Sequence, residues 1–259
     1  MLDGLDRAAA IAAGMDADRL DALVTFLDHH YIQSGKLPHM QFFLSRDEVP
    51  LLSVTRGAAR VDGTPLHPDA LYRIASMTKP VTSVAFMMLV EQGLVALDTP
   101  VMHVIPEFAD LRVGSAGESR PARPMRMIDL LRHTSGLTYG LQRQTAIDAR
   151  YREMGLDEFQ QKRTSDQFIA DLATLPLEFS PGERWNYSVS TDVLGVVIER
   201  LAGTDLQSHF ERAIFTPLGM EDTGFVLPDS KTARMTDAWQ LEESGARVPA
   251  DLGARSGWR

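Results

Sequence analysis

Apolar residues recur at helical intervals along most of this chain, and extended segments are confined to its early part. Over residues 16–33, Leu20, Leu23, Val24 and Leu27 share one helical face. Asp16 or Asp18 is placed to cap the start, and Gly35 and Pro38 to end it. Extended segments at 40–44 and 51–55, joined by Ser45-Arg46-Asp47-Glu48, predict a hairpin with Pro50 at a strand start, where its missing N–H is tolerated. From Ser76 onward the pattern becomes helical. Val81, Val84, Ala85, Met88 and Leu89 predict a buried helix face closed by Gly93. Further helices are expected at 127–132, at 165–173, from Asp192 through Leu201 to a stop at Gly203, and at 206–214 before Pro217. Pro100, Pro106, Pro121 and Pro124 punctuate a loop-rich stretch, and Ser180-Pro181-Gly182 has the composition of a turn.

This layout divides the chain into three parts. Residues 1–75 carry a helix and a hairpin, residues 76–235 are mostly helical, and residues 236–259 are polar without a period, which predicts an irregular tail. One hairpin supplies two strands, and two strands alone are marginal in water. Further strands are therefore expected to complete the sheet.

Composition narrows the function classes. The 26 Lys and Arg against 35 Asp and Glu give a net charge of −9, which argues against a nucleic-acid surface, where clustered cations displace counterions. The absence of cysteine removes disulfides, thiolate metal sites and a cysteine nucleophile. No run reaches the length of a membrane-spanning helix, and the start, Met1-Leu2-Asp3-Gly4-Leu5-Asp6, lacks a basic then apolar leader, so a cytoplasmic protein is expected. The adjacent His29 and His30 point to opposite sides of a helix and read as surface residues rather than a metal site.

With only 4 lysines among the 259 residues, each is worth inspecting, and one of them lies in Ser76-Met77-Thr78-Lys79 at the opening of the apolar helix. Three residues are nearly one turn, so the hydroxyl and the amine emerge on one face, and Pro80 suits the first turn. A serine hydroxyl needs a neighbouring base to become a nucleophile, and a lysine within reach can serve. The same residues also fit a helix-capping serine beside a solvated lysine. Tyr187 precedes another helix start, where the positive end of the dipole favours its anion. Service as a base near neutrality requires a nearby cation such as Lys79. A half-buried tyrosine donating one hydrogen bond fits equally.

Taken together, Ser76-Met77-Thr78-Lys79, His133-Thr134-Ser135-Gly136-Leu137, Pro181-Gly182 through Tyr187-Ser188, and Pro217-Leu218-Gly219-Met220-Glu221-Asp222-Thr223 resemble the serine β-lactamase-like superfamily, within its class C and family VIII carboxylesterase branch. The resemblance implies an α/β (α+β) fold of the β-lactamase/transpeptidase type, an antiparallel sheet flanked by helices plus a helical subdomain. It implies Ser76 as acyl-enzyme nucleophile with Lys79 and Tyr187 sharing the proton, no cofactor and no metal, and a structural role for His133. The implied substrate is a small carboxylic ester or a β-lactam-like molecule, with no nucleic acid or membrane partner.

Two departures from the family pattern adjust that picture. The lactamase form is Tyr-x-Asn, and here Val189 holds the third position, which favours an esterase over a β-lactamase or D-Ala-D-Ala carboxypeptidase. The family's strand of the Lys-Thr-Gly, His-x-Gly or Trp-Gly-Gly type has no match after Phe225, and Ser256-Gly257-Trp258-Arg259 is no substitute. That strand supplies a second oxyanion donor, whose loss typically costs on the order of 10²–10³ in rate. The expectation is a chain lacking the C-terminal third of such a hydrolase, with an incomplete sheet. Its unpaired edge would be open to an oligomer or a complementing chain. A catalytically silent fragment or pseudo-enzyme is the remaining alternative.

Overall fold

The computed structural model describes residues 4–114, 119–158 and 163–252, so Ser256 to Arg259 lie outside the described residues. Two compact units emerge. Among the described residues, one combines 4–73 with 226–252, and the other lies within 74–225.

The first unit begins with strand β1 (Gly4–Leu5) and helix α1 (Arg7–Ala12), whose cap Asp6 accepts from the Ala9 N–H. Helix α2 (Ala17–Leu27) is capped by Asp16, which accepts from the N–H groups of Asp18 and Arg19, and it continues as a π-helical turn over Asp28–Gln33. His29 and His30 lie exposed on that turn. The predicted hairpin forms from β2 (His39–Arg46) and β3 (Val49–Gly57). Its strands are longer than the hydrophobic alternation suggests, because Asp47 and Glu48 alone make the turn, both with positive φ as a tight hairpin requires. The register slips between Leu44 and Ser45, opposite Pro50, which has no N–H for the ladder. The strand order is β1-β3-β2, so β2 is an edge among the described residues.

The second unit is helical. Helix α3 (Thr78–Glu91) ends where Gly93 adopts φ +73. Its buried stripe is Thr82, Ala85, Phe86 and Leu89, whereas Val84 is 52% exposed, so the face expected from Val81, Val84 and Met88 is rotated toward Phe86. The short pair β4 (Arg112–Val113) and β5 (Arg120–Pro121) follows, then α4 (Met127–Leu131), α5 (Ala146–Met154) and α6 (Ser165–Ala173). Helix α7 (Ser190–Ala202) stops at left-handed Gly203, as its pattern requires. Helix α8 (Leu206–Phe210) passes into a π-helical turn over Glu211–Phe215. One continuous apolar cluster runs from Ala85 to Phe215, with Phe86, Leu89, Ile105, Leu130, Val193, Leu194 and Phe210 at its centre. Each such side chain contributes roughly 1.5–3 kcal/mol on burial.

The chain then rejoins the first unit. Arg60 donates to the carbonyls of Thr232 and Ala233, and the Val61 N–H donates to Asp237 at 2.8 Å. Residues 236–259, expected to be irregular, instead contain an antiparallel hairpin of β6 (Ala238–Leu241) and β7 (Arg247–Asp251). Arg247 stacks over the Trp239 ring, and Arg73 pairs with Asp251. Few apolar residues in these strands alternate, so charge and aromatic contacts hold a hairpin that hydrophobic periodicity does not announce.

Candidate active site

Ser76 sits in a single 3-10 turn, Ala75–Met77, that leads into α3. Ala75 holds φ +44, a left-handed conformation that costs a β-carbon residue on the order of 1 kcal/mol and turns the chain sharply before Ser76. Lys79 is in the first turn of α3, and its Nζ donates to Ser76 Oγ at 3.1 Å. Tyr187 reaches the same oxygen from a loop more than a hundred residues away, with its Oη 2.6 Å from Ser76 Oγ. The Lys79 ammonium lies 4.8 Å from the Tyr187 ring centroid. The three groups singled out in the sequence therefore converge on one hydroxyl.

The loop bearing Tyr187 is pinned from several directions. Its neighbour Asn186 donates its backbone N–H to the His133 carbonyl at 2.8 Å and its side-chain amide to the Leu137 carbonyl at 3.0 Å. Gln142 donates to the Tyr187 carbonyl. Behind it runs a buried chain of hydroxyls. Ser135 Oγ lies 2.7 Å from Ser190 Oγ, which lies 2.6 Å from Ser188 Oγ. His133 Nδ1 is 3.3 Å from both the Ser188 hydroxyl and its N–H, and the His133 ring packs 4.8 Å from that of Tyr187. Gly136 has φ +86, and a Cβ there would strike the Phe179 carbonyl, so this turn admits only glycine. Asp129, buried in the first turn of α4, accepts from Arg123 at 2.9 Å and from the backbone N–H of Arg126, while its carbonyl accepts from Thr134. The stretch from His133 to Leu137 is a scaffold for Tyr187.

Burial works to raise the Tyr187 phenol, but hydrogen bonds to Lys79 and Ser76 and the Lys79 charge outweigh it. The phenol therefore lies below its usual value near 10. His133 is held below the ordinary histidine range by burial and then by the Lys79 charge, which favours the neutral ring. Ser76 itself is exposed and opens onto a cavity of about 570 Å³. Leu156, Phe168, Val196, Leu206 and Phe225 line its apolar part, and Val189 is buried in its wall. An apolar pocket beside an activated hydroxyl suits a small molecule with a hydrocarbon portion.

Sequence reading missed two residues of this cavity, Tyr139 and Asp192. Tyr139 Oη donates to Asp192 Oδ2 at 3.1 Å, and the Tyr139 ring is 5.4 Å from that of Tyr187. Their positions offered a signal, since Tyr139 follows Leu137 by two residues and Asp192 is in the first turn of the helix that Tyr187 precedes. Among the described residues no group of His, Asp and Glu could hold a metal ion, and no helix is long and apolar enough to cross a membrane.

Comparison with known proteins places this geometry in context. Protein Rv1367c of Mycobacterium tuberculosis is 38% identical over 187 residues, covering 70% of this chain and 45% of that protein. Esterase EstB of Burkholderia gladioli is 35% identical over 218 residues, covering 83% of this chain and 54% of EstB. Among solved structures, EstCE1, described as a hydrolase with promiscuous acyltransferase activity, superposes with a TM-score of 0.81 at 26% identity, over 93% of this chain and 61% of that one. The chain thus spans about half the length of the curated relatives it matches. The family model for Beta-lactamase matches residues 9–258, and the chain belongs to that family, with its β-lactamase/transpeptidase-like fold.

Proposed function

We propose that the protein is a serine esterase that acts on small carboxylic esters through an acyl-enzyme on Ser76. The observation that carries this reading is the shared hydroxyl, with Lys79 at 3.1 Å and Tyr187 at 2.6 Å from Ser76 Oγ. Ser76 Oγ attacks the ester carbonyl carbon as its proton passes to the Tyr187 oxygen, deprotonated at that moment beside the Lys79 ammonium. The carbonyl electrons move onto oxygen, and the Ser76 backbone N–H, at the head of α3, supplies one donor for that oxyanion. Collapse breaks the bond to the leaving alkoxide, which takes the proton from Tyr187. Water then attacks the acyl carbon, gives its proton to the same pair, and releases the acid as Ser76 is reprotonated. Every bond and proton is handled by side chains, so the reaction calls for no cofactor.

The similarity to EstB, an esterase, and to EstCE1, a hydrolase, supports ester chemistry. Val189 supports it further, because its side chain cannot hydrogen bond a lactam substituent where the lactamase pattern has asparagine. An alcohol in place of water at the second step would make the same enzyme an acyltransferase, the activity named for EstCE1. The test is turnover of a short-chain p-nitrophenyl ester beside a chromogenic cephalosporin. Ester turnover that vanishes in Ser76→Ala is expected. Rapid cephalosporin hydrolysis with poor ester turnover would turn the assignment to a β-lactamase, and turnover unchanged in Ser76→Ala would end it.

A further inference from the structure

The cavity contains a carboxylate that the chemistry above does not use. Asp192 is the third residue of α7, and a first-turn acid ordinarily just opposes the helix dipole. Here the side chain instead opens to the cavity and accepts from Tyr139 Oη at 3.1 Å. The Lys79 ammonium lies 5.7 Å from the Tyr139 ring centroid and 4.8 Å from that of Tyr187. The cation lies beside a pair of adjacent phenol rings, whose centroids are 5.4 Å apart, and one of those phenols donates to the carboxylate. Aromatic faces attract a cation, and a carboxylate behind one of them strengthens the hold.

The other ionisable groups facing Lys79 are His133 and Tyr139 from the loop after α4, and Tyr187. Asp157, after α5, adds its negative charge at Tyr139 and Asp192, while Glu158, Arg163 and Glu199 line the same cavity. Asp192 is exposed to the cavity, yet desolvation by the surrounding protein raises its carboxyl, while the Lys79 charge and the Tyr139 hydrogen bond oppose the rise.

We propose that Asp192 is a positioning residue for Ser76: tethered by Tyr139, it holds the Lys79 ammonium beside the two phenol rings and sets the pH at which the Lys79–Tyr187 pair can accept the serine proton. The inference rests on the esterase reading. The receptive pair carries one proton fewer than ammonium plus phenol. A neighbouring negative charge favours the more positive, fully protonated form, so Asp192 pushes activation to higher pH. Removing its charge lowers that pH.

The experiment follows the titration of the Lys79 side chain by NMR in the whole chain carrying ¹³C-labelled lysine, with its signal assigned by Lys79→Met. In Asp192→Asn the titration midpoint is expected to fall by about half a pH unit or more. The acid limb of ester hydrolysis should fall with it, and Asp192→Glu should restore both. Asp192→Ser repeats the measurement should the asparagine disturb folding. An unchanged Lys79 midpoint, or a uniform loss of turnover with the pH profile in place, would overturn the proposal. Ser76→Ala separates the two levels. If it keeps turnover, the esterase reading fails; if it is inactive while the Lys79 midpoint ignores Asp192, only this inference fails.

Discussion

The two units of the chain are built on different physical principles. Residues 74–225 enclose a continuous apolar cluster in which Phe86, Leu130, Val193 and Phe210 are fully buried. The separate small cluster in the other unit is Ala10, Ala17 and Leu20, with Leu5, Met15 and Leu44 packed against it. Outside that cluster the unit buries Leu51, Leu52 and Val54 of β3 and relies on strand pairing and on arginine contacts such as Arg60 to the Thr232 and Ala233 carbonyls. Its helix α2 leaves Leu23 and Phe26 exposed. Ser76, Lys79 and Tyr187 all belong to the well-cored unit. Three side chains from two distant stretches must be held within a few tenths of an ångström, which requires a stiff, densely packed support. The sparsely cored unit should open first.

The contrast can be broken most forcefully at the site. Replacing Ser76 by alanine should lower ester turnover by about 10³-fold or more, and Tyr187→Phe or Lys79→Met by about 10²–10⁴-fold, with melting temperatures little changed. Steady-state kinetics beside thermal melts would check this, and a large loss of stability in any of the three would mean that the site is part of the core. Next in size are core substitutions. Phe86→Ala should cost about 3–5 kcal/mol in urea unfolding. Leu20→Ala should cost about 2 kcal/mol, with hydrogen exchange rising in the first unit and amides around Ile198 still protected. Equal costs spread over both units would erase the distinction between them.

The smallest effect concerns an ion pair on the second unit. Arg200 makes two hydrogen bonds to Glu107 at 2.8 and 2.9 Å and holds its carboxyl down at about 2. A depressed carboxyl adds stability above its ordinary value of 4.5, and that stability is lost as pH falls from there toward about 2. Because the side chain is about a third exposed, Glu107→Gln should cost no more than about 1 kcal/mol at neutral pH. Melts of the two proteins should coincide near pH 2, and a gap that persists there would point to packing instead of charge.

Much of this architecture is legible in the sequence, for reasons that vary by element. Helix α7 announces itself through its apolar period and ends at Gly203 as expected, while α6 is legible only as a polar helix. Helix α5 is not legible from its pattern because its apolar content is low. Its signal was the cap, where Thr145 and Asp148 exchange hydrogen bonds with each other's backbone. Helix α1 is six residues of mostly alanine, too short to show a period. The β6–β7 hairpin is hidden because its apolar residues do not alternate and because Pro249 interrupts β7. At the site, Ser76 and Lys79 are a local pattern, one turn apart. Tyr187 became legible through the family motif, since nothing local predicts a hydroxyl 2.6 Å from Ser76. The bond between Tyr139 and Asp192 joins residues 53 apart, and tertiary packing alone creates it.

The most direct test of the shared hydroxyl is covalent. The protein would be treated with a fluorophosphonate near neutral pH, weighed intact by mass spectrometry and mapped by peptide. One phosphonyl adduct per chain on the peptide bearing Ser76 is expected, formed far more slowly in Tyr187→Phe and absent in Ser76→Ala. An adduct on another serine, or none on folded protein, would contradict the assignment of Ser76 as nucleophile.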